Sequence, residues 1–240
     1  MEINKEISDK VIIALDFPTS AMALDLVDEL GDLGSFYKVG LELFLNSGGQ
    51  IIEALKHKNK KIFLDLKFHD IPNTVSAAVR WASQLDVDIV NVHALGGLKM
   101  MEEAKRSFNS NSQQKLIAVT ILTSMSDNDL QKIGFNEAPF QMVKHLANLA
   151  HQANLDGVVC SAHEASTIKK SFGDDFVTVC PGIRPLWAVA GDQNRIMTPK
   201  EAIKSGVDHM VIGRPITGSK VPKEALKTIF TEIREGLGND

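Results

Sequence analysis

The sequence predicts a (β/α)8 barrel folded as a single domain over residues 1–240. Three observations lead there. Eight short β-branched runs alternate with helical stretches along the chain. Most runs stay apolar for four or five residues, as parallel strands covered on both faces do. The chain has 240 residues, and barrels of this kind usually take about 250. A doubly wound sheet also alternates strand and helix, but no GxGxxG follows the first run. No linker, low-complexity tract or shift in composition marks a second domain.

In chain order the strands are VIIALDF from Val11, FYKVGL from Phe36, KIFLDLK from Lys61 and IVNVHA from Ile89. LIAVTIL from Leu116, GVVCSA from Gly157, TVCPGI from Thr178 and HMVIGRPI from His209 complete the set. After the first strand, Met22, Leu26, Val27 and Leu30 fall on one helical stripe, and Gly31 is placed to end that helix. Helical periodicity returns over residues 73–85, 139–153, 198–205 and 222–237. Thr198 followed by Pro199 is a helix start, with a hydroxyl cap and a proline at the first helical position.

Charge and composition exclude several classes of function. With 26 basic against 30 acidic residues the net charge is −4, so no basic field draws nucleic acid or anionic lipid. No apolar run approaches the roughly 18 residues needed to span a bilayer. The opening MEINKEISDK lacks the apolar stretch of a signal peptide. Cys160 and Cys180 sit in apolar runs and read as buried thiols in a reducing compartment. A cytoplasmic protein is expected.

The informative residues are polar ones at the ends of apolar strands. Asp16 ends the first strand, Lys38 lies within the second, and Asp65 and Lys67 end the third. His93 ends the fourth, Thr123 and Ser124 the fifth, and Gly213 and Arg214 the eighth. Such positions gather at the C-terminal face of a barrel, where active sites are built. A single charge there reads as the start of a loop. Two acids and two bases on neighbouring strands must pair if buried, and such networks cluster at functional sites. Asp65 and Lys67 are two apart, so a regular strand points both to one side, with Phe63.

DLKFHDIPNTV, from Asp65 to Val75, is the densest motif. Asp70 lies past the strand, in the loop, and Asn73 or Thr74 can cap the next helix. At the last strand, Gly213 and Arg214 stand where barrels frequently hold phosphate on bare backbone N–H groups, and Arg214 adds a bidentate donor. Before it, PGIRPLWAVAGDQNRIMTP is long and aperiodic, and includes Arg184 and Gln193. A loop of that length suits a lid over a phosphorylated ligand. His93 reads as a hydrogen-bonding core residue and His69 as a loop residue. No Cys/His cluster, HExxH or EF-hand spacing supports a metal site.

The segments ALDF, YKVGLELF, DLKFHDIPNTV, VNVHALGG, VTILTSM, CPGIRP, AGDQNRIMTP and VIGRPIT together resemble the orotidine 5′-phosphate decarboxylase family in order and spacing. The resemblance implies a homodimeric enzyme that converts orotidine 5′-monophosphate to UMP and CO2 without a cofactor, the last step of de novo pyrimidine synthesis. It implies that Lys38, Asp65, Lys67 and Asp70 form an alternating charge network, with Lys67 donating a proton to C6. Asp16 and Lys38 would hold the ribose, with Thr74 reaching it from the partner subunit. Thr123 and Ser124 would lie against the pyrimidine. Gln193, Gly213 and Arg214 would grip the phosphate with Arg184 nearby, and Asp70, Ile71 and Thr74 would be supplied across the dimer. In one respect the chain departs from the pattern. Leu186, Trp187, Ala188 and Val189 are apolar where the family's lid is usually polar. Sugar-phosphate decarboxylases and hexulose-phosphate synthases of the same superfamily share D-x-K-x-x-D but use Mg2+. Residues 71–74 and the pair Thr123 and Ser124 weigh against that alternative. A barrel that only binds nucleotide phosphate would have no use for buried Lys38, Asp65 and Lys67.

Overall fold

The computed structural model describes residues 5–108, 113–188 and 197–238. The strands are β1 (Val11–Ala14), β2 (Phe36–Gly40), β3 (Lys61–Phe68), β4 (Ile89–His93), β5 (Lys115–Val119), β6 (Gly157–Val159), β7 (Val177–Cys180) and β8 (His209–Ile212). They are parallel and close in sequence order, β1 pairing with both β2 and β8. The expected (β/α)8 barrel is what the chain forms.

The helices are α1 (Lys5–Asp9), α2 (Ser20–Leu30), α3 (Leu41–Ser47), α4 (Gln50–His57), α5 (Pro72–Ser83) and α6 (Leu98–Ser107). They continue with α7 (Asp127–Lys132), α8 (Pro139–Gln152), α9 (Ala162–Phe172), α10 (Pro199–Lys204), α11 (Arg214–Thr217) and α12 (Pro222–Leu237). Gly31 closes α2 at φ 57°, a left-handed conformation that costs glycine nothing. Thr198 caps α10 in a full capping box with Glu201.

Strand alternation divides the core into two layers. Ile12, Ala14, Phe36, Phe63, Ile89, Ile117, Val177, Val179 and Val211 fill the barrel interior. Their neighbours, among them Ile13, Tyr37, Leu64 and Val90, pack outward under the helices. The period of two then decides what reaches the C-terminal mouth. Ala14 is followed inward by Asp16, Phe36 by Lys38, Phe63 by Asp65 and Ile89 by Asn91. Apolar layers plug the barrel below and polar residues cap it above.

The opposite face is held by a repeated aspartate. Asp88, Asp156 and Asp208 each precede an even-numbered strand and accept the backbone N–H of Ile62, Leu116 and Thr178 on the preceding strand, all at 2.7 Å. Each satisfies a strand-end donor that the ladder leaves open.

Several expected boundaries move. β8 stops at Ile212, because Pro215 has no N–H for the ladder and instead seats the first turn of α11. β5 ends at Val119, so Thr123 and Ser124 lie in the loop beyond it. β2 ends at Gly40, and Leu41 opens α3 rather than prolonging the strand. The helix after β3 begins at Pro72 behind an extended Ile71, with no side-chain cap, so neither Asn73 nor Thr74 caps it.

Candidate active site

Lys38 Nζ lies 2.8 Å from Asp16 Oδ1 and 3.5 Å from Asp65 Oδ2. Lys67 Nζ lies 2.7 Å from Asp65 Oδ1, the other oxygen of the same carboxylate. Asp16, Lys38, Asp65 and Lys67 thus form a chain of alternating sign across β1, β2 and β3. Lys38 and Asp65 are buried, whereas Asp16 faces solvent.

Burial by itself would push the Asp65 carboxyl up. Lys38 and Lys67 outweigh it, helped by hydrogen bonds from Lys67 and Asn91, and hold it below the usual carboxylate range. Burial likewise opposes the Lys38 ammonium, but Asp65 and Asp16 more than compensate and raise it. The result is a buried Lys38–Asp65 pair in which each partner favours the charged form of the other.

Asp65 and Lys67 do meet, but not through a regular pleat. Lys67 adopts φ 51°, and the pairing of β3 with β4 shifts between Leu64 and Phe68. Asn91, fully buried on β4, accepts the Lys67 N–H at 2.8 Å and donates to Asp65 Oδ1 at 2.7 Å. Sequence reasoning did not single out Asn91. The signal was there, a carboxamide in the apolar run IVNVH at an inward position.

Two cavities adjoin the network. One of about 220 Å³ is lined by Lys38, Asp65 and Lys67 on one wall and by Phe63, Ile121, Thr123, Ser124 and Pro181 on the others. The second, about 390 Å³, is lined by Asp16, Lys38, Gly182, Arg184, Gly213, Arg214 and Thr217. Lys38, Pro181 and Val211 border both, so the two are lobes of one cleft. The first is mainly apolar with a charged wall, and the second carries two guanidinium groups. Burial and the neighbouring Arg214 charge both lower the pKa of Arg184, whose Nη1 donates to the Ile183 carbonyl at 3.2 Å. A larger cavity of about 800 Å³ lies between the end of α2 and α12. It belongs to the outer helical layer, far from the strand ends where barrel chemistry is built.

Asp70, Ile71 and Thr74 are exposed and line neither lobe, Asp70 accepting the Ile71 N–H at 2.6 Å. Gln193 and Val189 lie outside the described residues, while Leu186 and Trp187 are exposed beside them. His93 accepts the Leu95 N–H through Nδ1 at 3.3 Å and stacks on His69 with ring centroids 5.3 Å apart. Among the described residues no three His, Cys, Asp or Glu side chains converge as a metal-ligand set.

The sequence matches the family described as orotidine 5′-phosphate decarboxylase / HUMPS over residues 9–229. An orotidine 5′-phosphate decarboxylase of Actinobacillus succinogenes is 49% identical over 226 residues, covering 93% of this chain and 97% of the relative. One from Haemophilus influenzae is 48% identical over 228 residues, covering 94% and 99%. The crystal structure of the Lactobacillus acidophilus orotidine 5′-phosphate decarboxylase superimposes with a TM-score of 0.82 at 39% identity, covering 94% of this chain and 99% of that one. Likeness of this extent, in sequence and in backbone alike, places the chain in the orotidine 5′-phosphate decarboxylase / HUMPS family.

Proposed function

We propose that this protein decarboxylates orotidine 5′-monophosphate to UMP and CO2. The observation that carries the reading is Asp65, a buried carboxylate held ionised between Lys38 and Lys67 on the wall of an apolar lobe. Such an arrangement costs desolvation of two charges, Lys38 and Asp65. It repays that cost where charge must appear or vanish on a bound ligand.

The lobes suit a nucleoside monophosphate laid across Lys38. The pyrimidine enters the smaller lobe beside Thr123 and Ser124, and the ribose lies over Asp16 and Lys38. The phosphate meets Arg214, Arg184 and the bare backbone at Gly213, and the family resemblance adds Gln193 to that group. Loss of CO2 from C6 leaves an electron pair in the ring plane, orthogonal to the π system, so the ring offers no resonance sink. Fixed charge must then stabilise the developing carbanion. Lys67 is the group placed for this, and its ammonium delivers the proton that completes UMP. Asp65 faces the departing carboxylate, and their repulsion is relieved as CO2 leaves. Phosphate binding, remote from C6, supplies energy for lid closure and water exclusion.

The loop carrying Asp70, Ile71 and Thr74 serves the site of a second subunit in a homodimer. Its exposure in the single chain supports this, as do the exposed Ile71 and Trp81 on the same segment. The whole chain then works as one catalytic domain. No described helix is long and apolar enough to cross a membrane. Cys160 and Cys180, buried with Sγ atoms 3.8 Å apart and no disulfide between them, suit a reducing, cytoplasmic setting.

The test is an absorbance assay with orotidine 5′-monophosphate in the presence of a chelator, run beside a hexulose phosphate with and without Mg2+. Turnover of the nucleotide under chelation supports the proposal. Activity confined to the sugar phosphate and dependent on Mg2+ would replace it, as would nucleotide binding without turnover.

A further inference from the structure

Lys67 leaves regular strand geometry next to Asp65, with which its ammonium is paired at 2.7 Å. From Leu64 opposite Val90 to Phe68 opposite Val92, β3 advances four residues while β4 advances two. Within that bulge Lys67 sits at φ 51°, a conformation that side-chain-bearing residues rarely adopt. One buried side chain spans the distortion. The Asn91 carboxamide takes the Lys67 N–H at 2.8 Å and gives a hydrogen to Asp65 Oδ1 at 2.7 Å. The orientation of that amide follows from its partners. A backbone N–H can only donate and an ionised carboxylate can only accept, so oxygen must face Lys67 and nitrogen must face Asp65. Asn91 is fully buried and lines neither lobe of the cleft.

We propose that Asn91 is a positioning residue for the decarboxylation, holding the Lys67 backbone in its left-handed kink and the Asp65 carboxylate in register with the Lys67 ammonium. The inference rests on the decarboxylase reading of the site. Asn91 touches no substrate and acts through the two residues that do. Alanine or leucine there would leave the Lys67 N–H without its acceptor and remove one of the two donors to Asp65 Oδ1, the other being the Lys67 ammonium. Aspartate keeps the shape but turns a carboxylate toward Asp65.

The test uses Asn91→Ala and Asn91→Asp in the full-length protein, reading kcat, KM, UMP affinity by calorimetry and the pH profile of kcat. Asn91→Ala is expected to lower kcat about 100-fold, the scale of an ångström's misplacement of a catalytic group. UMP affinity should stay within about threefold, because the ribose and phosphate contacts lie elsewhere. For Asn91→Asp the groups facing position 91 are Asp65 and Lys67 on β3, Lys38 on β2 and His93 on β4. The two ammonium groups keep Asp65 ionised, so the introduced carboxyl takes the shared proton on acidification. Protonated, it can donate to Asp65 and accept from Lys67 as the amide does. Its kcat relative to wild type should therefore rise as pH falls.

Wild-type kcat in Asn91→Ala would overturn the inference, as would an Asn91→Asp profile parallel to wild type. A matched loss of kcat and UMP affinity would also overturn it, since that would mark general disruption. If Asn91→Ala does not fold, the isosteric Asn91→Asp carries the test. Failure of the wild type to turn over orotidine 5′-monophosphate would instead sink the decarboxylase reading. Asn91 would then be judged by crystal structures of the variants. Lys67 retaining its left-handed backbone and its contact with Asp65 in both would refute the positioning role.

Discussion

Asp65 keeps its charge inside the protein because two ammonium groups and one amide point at it. The same logic in reverse governs His93. Burial, with the charges of His69 and Lys67, lowers its pKa to about 4, so it is neutral at pH 7 and adds no positive charge beside Lys67. Unfolded, it titrates near 6.5. A depressed histidine contributes stability that is fully present above about pH 6.5 and is lost as pH falls toward 4. Urea midpoints measured across that window should drop more steeply for wild type than for His93→Gln, and equal slopes would contradict the assignment. At the other end of the cleft, Arg214→Ala should weaken UMP binding by about 2 kcal/mol, roughly thirtyfold in Kd. Uridine, lacking the phosphate, should bind both proteins alike. Equal losses for the two ligands would make Arg214 a structural residue.

At the scale of the elements, Gly157 of β6 stands opposite Val177 of β7. A Cβ on Gly157 would lie 2.1 Å from the Val177 carbonyl oxygen and 2.7 Å from its carbon, both backbone atoms that cannot swing aside. Gly157→Ala must part the strands, at a cost of at least about 2 kcal/mol. For a chain this size that lowers Tm by roughly 4–8 °C. Pro181 and Gly182, which follow β7, line the cleft, so UMP affinity should fall with stability. An unchanged Tm would show that the strands have room. The strands themselves were legible in the sequence because each buried run had to be apolar on both sides. Their ends were less so. Pro215 turned an apparent strand continuation into a helix start, and the loop after β5 carries Thr123 and Ser124 beyond any strand. The kink at Lys67 was not legible, since periodicity assumes a regular pleat and cannot foresee a bulge held by a side chain from the next strand. The tie from Asn91 to Lys67 was hidden for that reason, although a lone carboxamide in the apolar run IVNVH was visible. Lys38, Asp65 and Arg214 stood out because charges in apolar runs need partners.

For the whole molecule, the closed barrel separates stability from chemistry. Asp88, Asp156 and Asp208 secure one end, and the Lys38–Asp65–Lys67 network occupies the other. What a single barrel leaves open is the position of Asp70, exposed and outside the cleft. If the loop serves a second subunit, mixing Lys67→Ala chains with Asp70→Ala chains under exchange conditions should restore activity. In a mixed dimer one site carries both lesions and the other carries neither. Random pairing then returns about a quarter of wild-type turnover. A dead mixture, with exchange verified by mass labelling, would place Asp70 in its own subunit's site. The central claim, that fixed charge on this barrel removes CO2 and Lys67 returns the proton, has a more direct measurement. Wild type and Lys67→Ala are incubated with orotidine 5′-monophosphate and chelator in D2O, and the product is read by NMR. Wild type should give UMP deuterated at C6, and Lys67→Ala should give no product although it still binds UMP. UMP formed by Lys67→Ala at the wild-type rate would contradict the claim.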